Sequence, residues 1–265
     1  MTTSYLETSV TDGILSVLIN RLAKRNALSQ AVLNELRTCF TAHASDTALI
    51  AATITGAGEQ CFAAGGDLQE FDTLRAREAT IAMGRNSTAA LAAIRNFPVP
   101  VIALMNGDAI GGGAELAVAC DLRVFAAHSR IAFVQGTLGI SPAWGGGADL
   151  IRLVGGARAL RLLARAEFIA ASSAFELGLA DAVAPAAQTF AAYTAEFLAP
   201  IKARKPQVMR AFKAIVSATR QSPEAQRVRD LEAELLVATW LHPDHWSAHD
   251  AVLARISGTA EGSRQ

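Results

Sequence analysis

Two glycine-rich segments and one glutamate have the residue types that could bind and transform a ligand. Gly65-Gly66 precedes Asp67, and Gly111-Gly112-Gly113 leads directly into Ala114-Glu115. Glycine loses more backbone entropy on ordering than any other residue, so three in succession at the start of a helix need a compensating use. One such use is the close approach of a ligand to bare N–H groups at the positive end of a helix. The alternative is that the glycines only permit a tight turn from strand to helix.

The known phosphate-binding loops do not fit the second segment. A Walker loop has Lys and then Ser or Thr after its last glycine, whereas Gly113 is followed by Ala114-Glu115. A dinucleotide-binding GxGxxG motif would need its final glycine where Leu116 stands. Nucleotide hydrolysis and NAD binding are therefore disfavoured.

The elements that would position these loops alternate between strand and helix patterns. Residues 5–20 predict a hairpin around the turn Asp12-Gly13, and Ser29 is a predicted N-cap of an amphipathic helix. Buried strands are predicted over residues 49–55 and 101–105, and helical periodicity dominates from Ala143 onward. This order predicts an α/β fold in which a core is followed by a C-terminal helical layer.

Composition narrows the classes of partner and the cellular compartment. The 265 residues are 51% hydrophobic and carry 24 basic and 24 acidic side chains, with no block of like charge that would favour nucleic acid. Cys39, Cys61 and Cys120 lack any CxxC spacing and predict reduced thiols. No apolar run is long enough to span a bilayer, and no signal peptide is evident at the N-terminus. We expect a cytoplasmic protein that binds neither membrane nor nucleic acid.

Several motifs follow one another in a characteristic order. They are Asn20-Arg21, 26–28 (NAL), 55–58 (TGAG), 62–68 (FAAGGDL), 100–103 (PVIA), Asn106-Gly107, 111–117 (GGGAELA), 119–121 (ACD) and 174–181 (AFELGLAD). Together they resemble the ordered signature of the crotonase (enoyl-CoA hydratase/isomerase) superfamily, from about residue 5 to residue 185.

The resemblance implies a fold, an assembly and an oxyanion hole. The fold would be a ββα spiral core, with an acyl-CoA-binding region over residues 1–200 and a C-terminal helical trimerisation region over residues 201–265. The expected assembly is a homotrimer or a dimer of trimers. The backbone N–H groups of Gly66 and Gly112 would form the oxyanion hole. Two preorganised donors stabilise a thioester enolate more than the ground-state carbonyl.

The resemblance also implies contacts to coenzyme A, which would enter as part of the substrate, with no separate cofactor and no metal. Ala64 and its neighbours would hold the adenine through backbone groups. For Lys24 and Arg25 the alternative is a solvated surface pair. The implied contacts are Lys24, Arg25, Ala27, Ala63, Ala64, Asp67 and Leu68.

The acid–base residues depart from the family's hydratase pattern. Those hydratases use two glutamates twenty residues apart; Glu115 matches the first, and Gln135 stands at the second. Glutamine cannot transfer a proton, although it can orient a water or a carboxylate. Glu115 lies beside apolar residues in a first helical turn, so partial desolvation is expected to raise its pKa. A first-turn glutamate that only complements the helix dipole is the alternative.

The segment after Gln135 refines the expected reaction. Residues 138–146 (LGISPAWGG) resemble the ethylmalonyl-CoA decarboxylase branch, and Ile140, Pro142 and Trp144 would form the acyl pocket. Core packing is the alternative role of Trp144. The favoured prediction is a lyase that decarboxylates a branched malonyl-CoA, or an enoyl-CoA isomerase. The alternatives are a 2-enoyl-CoA hydratase of fatty-acid oxidation, in which another side chain replaces the missing acid, and a non-catalytic acyl-CoA-binding or scaffold protein.

Three histidines cluster near the C-terminus without predicting a metal site. His242, His245 and His249 lie near Asp244 and Asp250, and Pro243 begins a helix there. A solvated helix start is the prediction for this segment.

Overall fold

A computed structural model of the chain describes residues 4–262, with side chains described as far as residue 257. Within these residues it contains ten strands and eleven helices. The strands are β1 (Leu6–Thr11), β2 (Ile14–Ile19), β3 (Ala51–Gly56), β4 (Cys61–Ala63), β5 (Val101–Met105), β6 (Asp108–Ile110), β7 (Leu122–Phe125), β8 (Arg130–Ala132), β9 (Ile169–Ala170) and β10 (Ala182–Val183). The helices are α1 (Gln30–His43), α2 (Leu68–Phe71), α3 (Arg77–Arg95), α4 (Gly112–Ala119), α5 (Gly146–Val154), α6 (Gly156–Arg165), α7 (Ala171–Glu176), α8 (Phe190–Lys202), α9 (Pro206–Arg220), α10 (Pro223–Trp240) and α11 (Pro243–Gly262).

The local sequence signals are found where they were predicted. β1 and β2 pair antiparallel, and Asp12 (φ 51°) and Gly13 (φ 73°) make the turn in the left-handed region. Ser29 caps α1, because its side chain accepts a hydrogen bond from the Val32 N–H. The predicted strand over residues 101–105 matches β5.

The strands form two sheets. The larger has the order β1-β2-β3-β5-β7-β10 and is parallel except for its β1–β2 hairpin. The smaller has the order β4-β6-β8-β9, and only its β8–β9 pair is antiparallel. Successive strands from β3 to β8 alternate between the sheets, with α3 and α4 between consecutive pairs. This repeat of strand, strand and helix gives a ββα spiral.

Helix α4 runs through the core of the spiral. Gly113 and every residue after it in the helix are buried. A β-carbon on Gly113 would lie 2.0 Å from the carbonyl oxygen of Ala63, so only glycine lets α4 pack this closely against β4. Close packing at this point brings the two glycine loops together.

The chain from Ala143 onward is mostly helical, as predicted, apart from the short strands β9 and β10. The predicted boundary at residue 200 falls inside α8, two residues before its end at Lys202. No helix within residues 4–262 has both the length and the apolar character needed to cross a membrane.

The three cysteines are free. Burial raises the pKa of Cys61 to about 11 and that of Cys120 to about 12, so both thiols stay protonated and poorly nucleophilic near neutral pH.

Candidate functional site

A cavity of about 570 Å³ lies where the two glycine loops meet the C-terminal helices. One wall comes from the loops that hold Gly66 and Gly112, and the opposite wall comes from α10 and α11. The residues of most chemical interest along the cavity are Lys24, Asp67, Glu115, Gln135, Trp144, Trp240 and His245. The helical C-terminal region therefore builds part of the site, which had been assigned to residues 1–200 alone.

The two predicted oxyanion glycines lie on touching loops. A β-carbon on Gly65 would lie 3.4 Å from the Gly112 nitrogen, which measures how close the loops come. Neither the Gly66 nor the Gly112 N–H donates to another group within residues 4–262. Both residues line the cavity, so both N–H groups are available to a ligand there.

Aromatic rings close the space around these glycines. A β-carbon on Gly66 would lie 2.4 Å from the Phe71 ring, and one on Gly112 would lie 2.3 Å from the Trp144 ring. Larger residues at either position would therefore displace an aromatic ring. Trp144, predicted to wall the acyl pocket, lines the cavity and covers Gly112.

Glu115 projects from the first turn of α4 and receives only N–H donors. Its Oε1 accepts from the Gln135 side-chain amide at 2.9 Å and from the Ala143 N–H at 3.4 Å. Its Oε2 accepts from the N–H groups of Trp144 at 2.8 Å and Gly146 at 3.0 Å. Gly146 permits this approach, because a β-carbon there would lie 2.4 Å from Glu115 Cγ.

Glu115 is buried, at 2% exposed, and its hydrogen-bond donors are all neutral. Burial raises the pKa of Glu115, and the hydrogen bonds from Trp144, Gln135, Gly146 and Ala143 oppose that rise without cancelling it. The expected direction of the shift is therefore found. Gln135 orients this carboxylate and cannot exchange a proton with it.

A second buried carboxylate, Glu232 of α10, was missed by the sequence analysis. It accepts from the Ala148 N–H at 2.6 Å and the Gly147 N–H at 3.3 Å, at the same end of α5 that binds Glu115. Burial raises the pKa of Glu232 to about 7, with a further contribution from the charge of Glu115. The run 145–147 (GGG) was the available signal, because a β-carbon on Gly147 would lie 2.9 Å from Glu232 Oε1.

Most of the residues matched to coenzyme A contacts line the cavity, and their side chains are already partly engaged. Asp67 pairs with Arg21 at 2.9 Å, and Lys24 bonds Gln69. The Ala64 N–H donates to the Arg25 carbonyl at 3.1 Å. Those that line the cavity are Lys24, Arg25, Ala27, Ala64, Asp67 and Leu68, together with Ile140 of the predicted acyl pocket.

Two of the predicted site residues do not reach the cavity. Ala63 is fully buried in β4, where its carbonyl packs against Gly113, and it is not part of the cavity wall. Pro142 is also absent from the wall, although its neighbours Ser141 and Ala143 contribute to it.

The prediction of a solvated helix start around the histidines was wrong for His245 and His249, which are 0% exposed. His245 lines the cavity, and its Nδ1 bonds the Leu138 carbonyl at 2.6 Å. His249 Nε2 bonds the Leu68 carbonyl at 3.1 Å. Their spacing of four residues places both on one helix face. This spacing is equally consistent with a buried face and with a solvated one.

One acidic group could in principle hold a cation. Asp72, His249 and Asp250 bring their ligand atoms within 4.8 Å of one another. However, the Arg75 guanidinium already bonds Asp72 at 2.5 Å and Asp250 at 3.1 Å. A protein cation thus already pairs with one oxygen of each carboxylate.

Comparisons with known proteins identify the family of the chain. The family described as "Enoyl-CoA hydratase/isomerase" matches residues 9–250. The chain is 35% identical to 2,3-dehydroadipyl-CoA hydratase of Escherichia coli (strain K12) over 240 residues, covering 90% of each chain. It is 30% identical to ethylmalonyl-CoA decarboxylase of Xenopus laevis over 230 residues, covering 86% of this chain and 76% of that protein.

Another relative has a higher sequence identity over a shorter aligned stretch, and a solved structure also matches. The chain is 40% identical to crotonyl-CoA hydratase of Syntrophomonas wolfei over 170 residues, and this match spans 64% of the chain and only 65% of that relative. The crystal structure of enoyl-CoA hydratase from Bacillus anthracis superposes with a TM-score of 0.78 at 30% identity, covering 89% of this chain and 92% of that one. The predicted crotonase-like α/β fold is confirmed.

Proposed function

Because the chain belongs to the enoyl-CoA hydratase/isomerase family, we propose that it forms a thioester enolate in this cavity and that Glu115 moves the proton at C2. The Gly66 and Gly112 N–H groups would bind the thioester oxygen. Two such donors aimed at one developing oxyanion stabilise the transition state more than the substrate. Coenzyme A would arrive with the substrate, and the proposal includes no metal or resident cofactor.

One observation carries this proposal. Glu115, a buried carboxylate whose hydrogen-bond donors are all neutral, lines the same cavity as two glycines whose N–H groups have no acceptor within residues 4–262. A carboxylate whose pKa is raised by burial can exchange a proton near neutral pH more readily than a solvated one. Asp67, another carboxylate in the cavity wall, is already paired with Arg21.

The favoured reaction is the decarboxylation of an alkylmalonyl-CoA, or a double-bond shift in an enoyl-CoA. In decarboxylation the bond to the carboxyl carbon breaks, CO₂ leaves, and its electron pair becomes the enolate that Glu115 then protonates. Only one proton carrier is needed, which fits the pairing of Glu115 with Gln135. The apolar wall of Trp144 and Ile140 would favour loss of the substrate carboxylate's charge.

Hydration of a 2-enoyl-CoA is the second candidate. It requires a second polar group to bind the water, and Gln135 is not an acid. His245 lies in the cavity wall and is the side chain that could stand in for the missing glutamate. The likeness to 2,3-dehydroadipyl-CoA hydratase over 90% of the chain also supports this reaction.

Two further parts of the proposal concern the assembly and the compartment. A homotrimer or a dimer of trimers is proposed from the family resemblance, and a cytoplasmic location from the free, protonated thiols. Sedimentation equilibrium of the purified chain would measure the first.

Enolate formation can be tested without choosing among these reactions. Butyryl-CoA incubated with the protein in D₂O should gain deuterium at C2, measured by mass spectrometry, and Glu115→Gln should abolish this exchange. A parallel panel of alkylmalonyl-, 3-enoyl- and 2-enoyl-CoA esters would then identify the reaction from the mass of the product. Exchange that persists at the wild-type rate in Glu115→Gln would remove Glu115 from the mechanism.

A further inference from the structure

Two buried polar atoms in the cavity wall have no hydrogen-bond partner within residues 4–262. They are Oε1 of Gln135 and Nε2 of His245. Gln135 is 5% exposed and His245 is 0% exposed, and both residues line the cavity. Buried polar atoms in folded proteins are almost always satisfied, so two unpaired ones in a single cavity indicate a ligand group.

The hydrogen bonds of the neighbouring atoms fix both unpaired atoms as acceptors. The Glu115 carboxylate accepts from the Gln135 amide nitrogen, which leaves the amide oxygen on the other side. The Leu138 carbonyl can only accept, so His245 Nδ1 carries the proton and Nε2 holds a lone pair. Gln135 and Leu138 are the two ends of one 3₁₀ turn, so this turn carries the first acceptor and bonds the residue that carries the second.

His245 remains an uncharged acceptor in this setting. Burial lowers its pKa, the bond to Leu138 opposes this, the charges of His249 and Arg75 lower the pKa further, and Asp250 raises it. The rings of Trp240 and Trp246 lie 4.6 Å and 4.7 Å from the His245 ring and form an apolar surrounding for it. A substrate carboxylate would meet two lone pairs here and be repelled, whereas an O–H group would satisfy them.

We propose that Gln135 Oε1 and His245 Nε2 form a subsite for an O–H donor, either a hydroxyl on the acyl group or a water that reacts with it. His245 is then a specificity-determining residue supplied by the C-terminal helix α11. The subsite rests on the proposed function only in that the ligand is an acyl thioester. The subsite predicts that the binding of hydroxylated acyl groups, or the rate of reactions that consume water, depends on His245.

The hydroxyl arm of the test measures binding. Calorimetry should show that the wild type binds 3-hydroxybutyryl-CoA about tenfold more tightly than butyryl-CoA, because the hydroxyl satisfies the buried acceptors. His245→Asn keeps a donor for Leu138 but deletes Nε2, and the ratio of the two affinities should fall to about one. His242→Asn, on the exposed side chain next to Pro243, is the matched control and should bind as the wild type does.

The water arm measures transfer of solvent oxygen. Crotonyl-CoA in H₂¹⁸O is followed by mass spectrometry, and His245→Asn should reduce ¹⁸O incorporation about tenfold relative to the wild type and to His242→Asn. His245→Phe, which preserves the ring contact with Trp240, provides a second variant if the asparagine variant folds poorly.

The two arms distinguish the source of the O–H group. Loss of the binding preference identifies an acyl hydroxyl, and loss of ¹⁸O incorporation identifies water. If His245→Asn matches the wild type in both arms, the subsite is overturned. Deuterium exchange at C2 of butyryl-CoA does not depend on an O–H group bound at the subsite. If this exchange is absent while the preference for the hydroxyl ligand is intact, the proposed function is overturned and the subsite stands.

Discussion

Helix α5 holds buried carboxylates of two different kinds. Asp149, in its first turn, is paired with Arg95 at 2.5 Å and with Arg220 at 2.8 Å. Burial alone would raise the pKa of Asp149, but the two guanidinium charges outweigh it and hold the pKa below its ordinary value. Glu115, bound at the N-terminus of the same helix, has no cation and a raised pKa.

The difference indicates what each carboxylate does. A cation neutralises Asp149 and removes any tendency to take up a proton, which suits a permanent structural tie. Neutral N–H groups hold Glu115 in place without fixing its charge, which suits a group that exchanges protons. Burial is common to both sites, so the partner atoms decide the outcome.

The largest expected effect is a loss of stability when the ion pairs of Asp149 are broken. Arg220 also bonds Asp121 at 3.0 Å, so Arg220→Ala leaves Asp149 and Asp121 with one cationic partner each. We expect a loss of about 3–5 kcal/mol in the free energy of unfolding, measured by urea denaturation. Arg227→Ala on the exposed face of α10 is the control and should cost little. Equal stability of the two variants would contradict the structural role.

The opposite result is expected at Glu115, where activity should fall by about 10²–10⁴-fold. In Glu115→Gln the side-chain oxygen can still accept from Trp144 and Gly146, and Gln135 can turn its amide to accept from the new NH₂ group. The free energy of unfolding and acyl-CoA affinity should therefore change little, as measured by denaturation and calorimetry. A variant that unfolds as readily as Arg220→Ala would remove the contrast between the two sites.

The effect expected from Glu232 is of intermediate size. Its raised pKa should make the stability of the protein depend on pH. Its pKa is about 7 in the folded protein against an ordinary 4.5, so the folded state holds an extra proton between these values. Stability should therefore fall as pH rises from about 4.5 to 7, by at most about 3 kcal/mol, and level off above. Glu232→Gln should become more stable than the wild type across this range. Parallel pH curves for the two proteins would contradict the assigned pKa shift.

The smallest effect is expected from Gln135, whose hydrogen bond lowers the pKa of Glu115. Gln135→Met keeps the side-chain length but deletes one of the hydrogen bonds that lower the pKa of Glu115. The pH at which Glu115 changes protonation should rise by about one unit, because a hydrogen bond to a charged group contributes about 1.5 kcal/mol. The pH profile of C2 deuterium exchange reports this shift. An unchanged profile would mean that the backbone donors alone set the pKa.

The parts of the fold that the sequence predicted have local causes. The Asp12-Gly13 turn, the Ser29 cap and the strand β5 depend on residues adjacent in the chain. Strands β9 and β10 escaped prediction because each has two residues and is defined by its partner strand, not by its own pattern. The roles of His245 and Glu232 likewise depend on contacts with residues far away in the sequence, Leu138 for the first and Gly147 and Ala148 for the second.

The sequence by itself determined the glycine loops, the position of Glu115 and the replacement of a second glutamate by Gln135, and these are enough to indicate the family. Only the tertiary structure decided how deeply Glu115 is buried and which groups of the C-terminal helices pack around the site. His245 and Glu232 come from helices more than a hundred residues further along the chain. A pKa or an unpaired lone pair depends on the atoms within a few ångströms, and those atoms are brought together by packing.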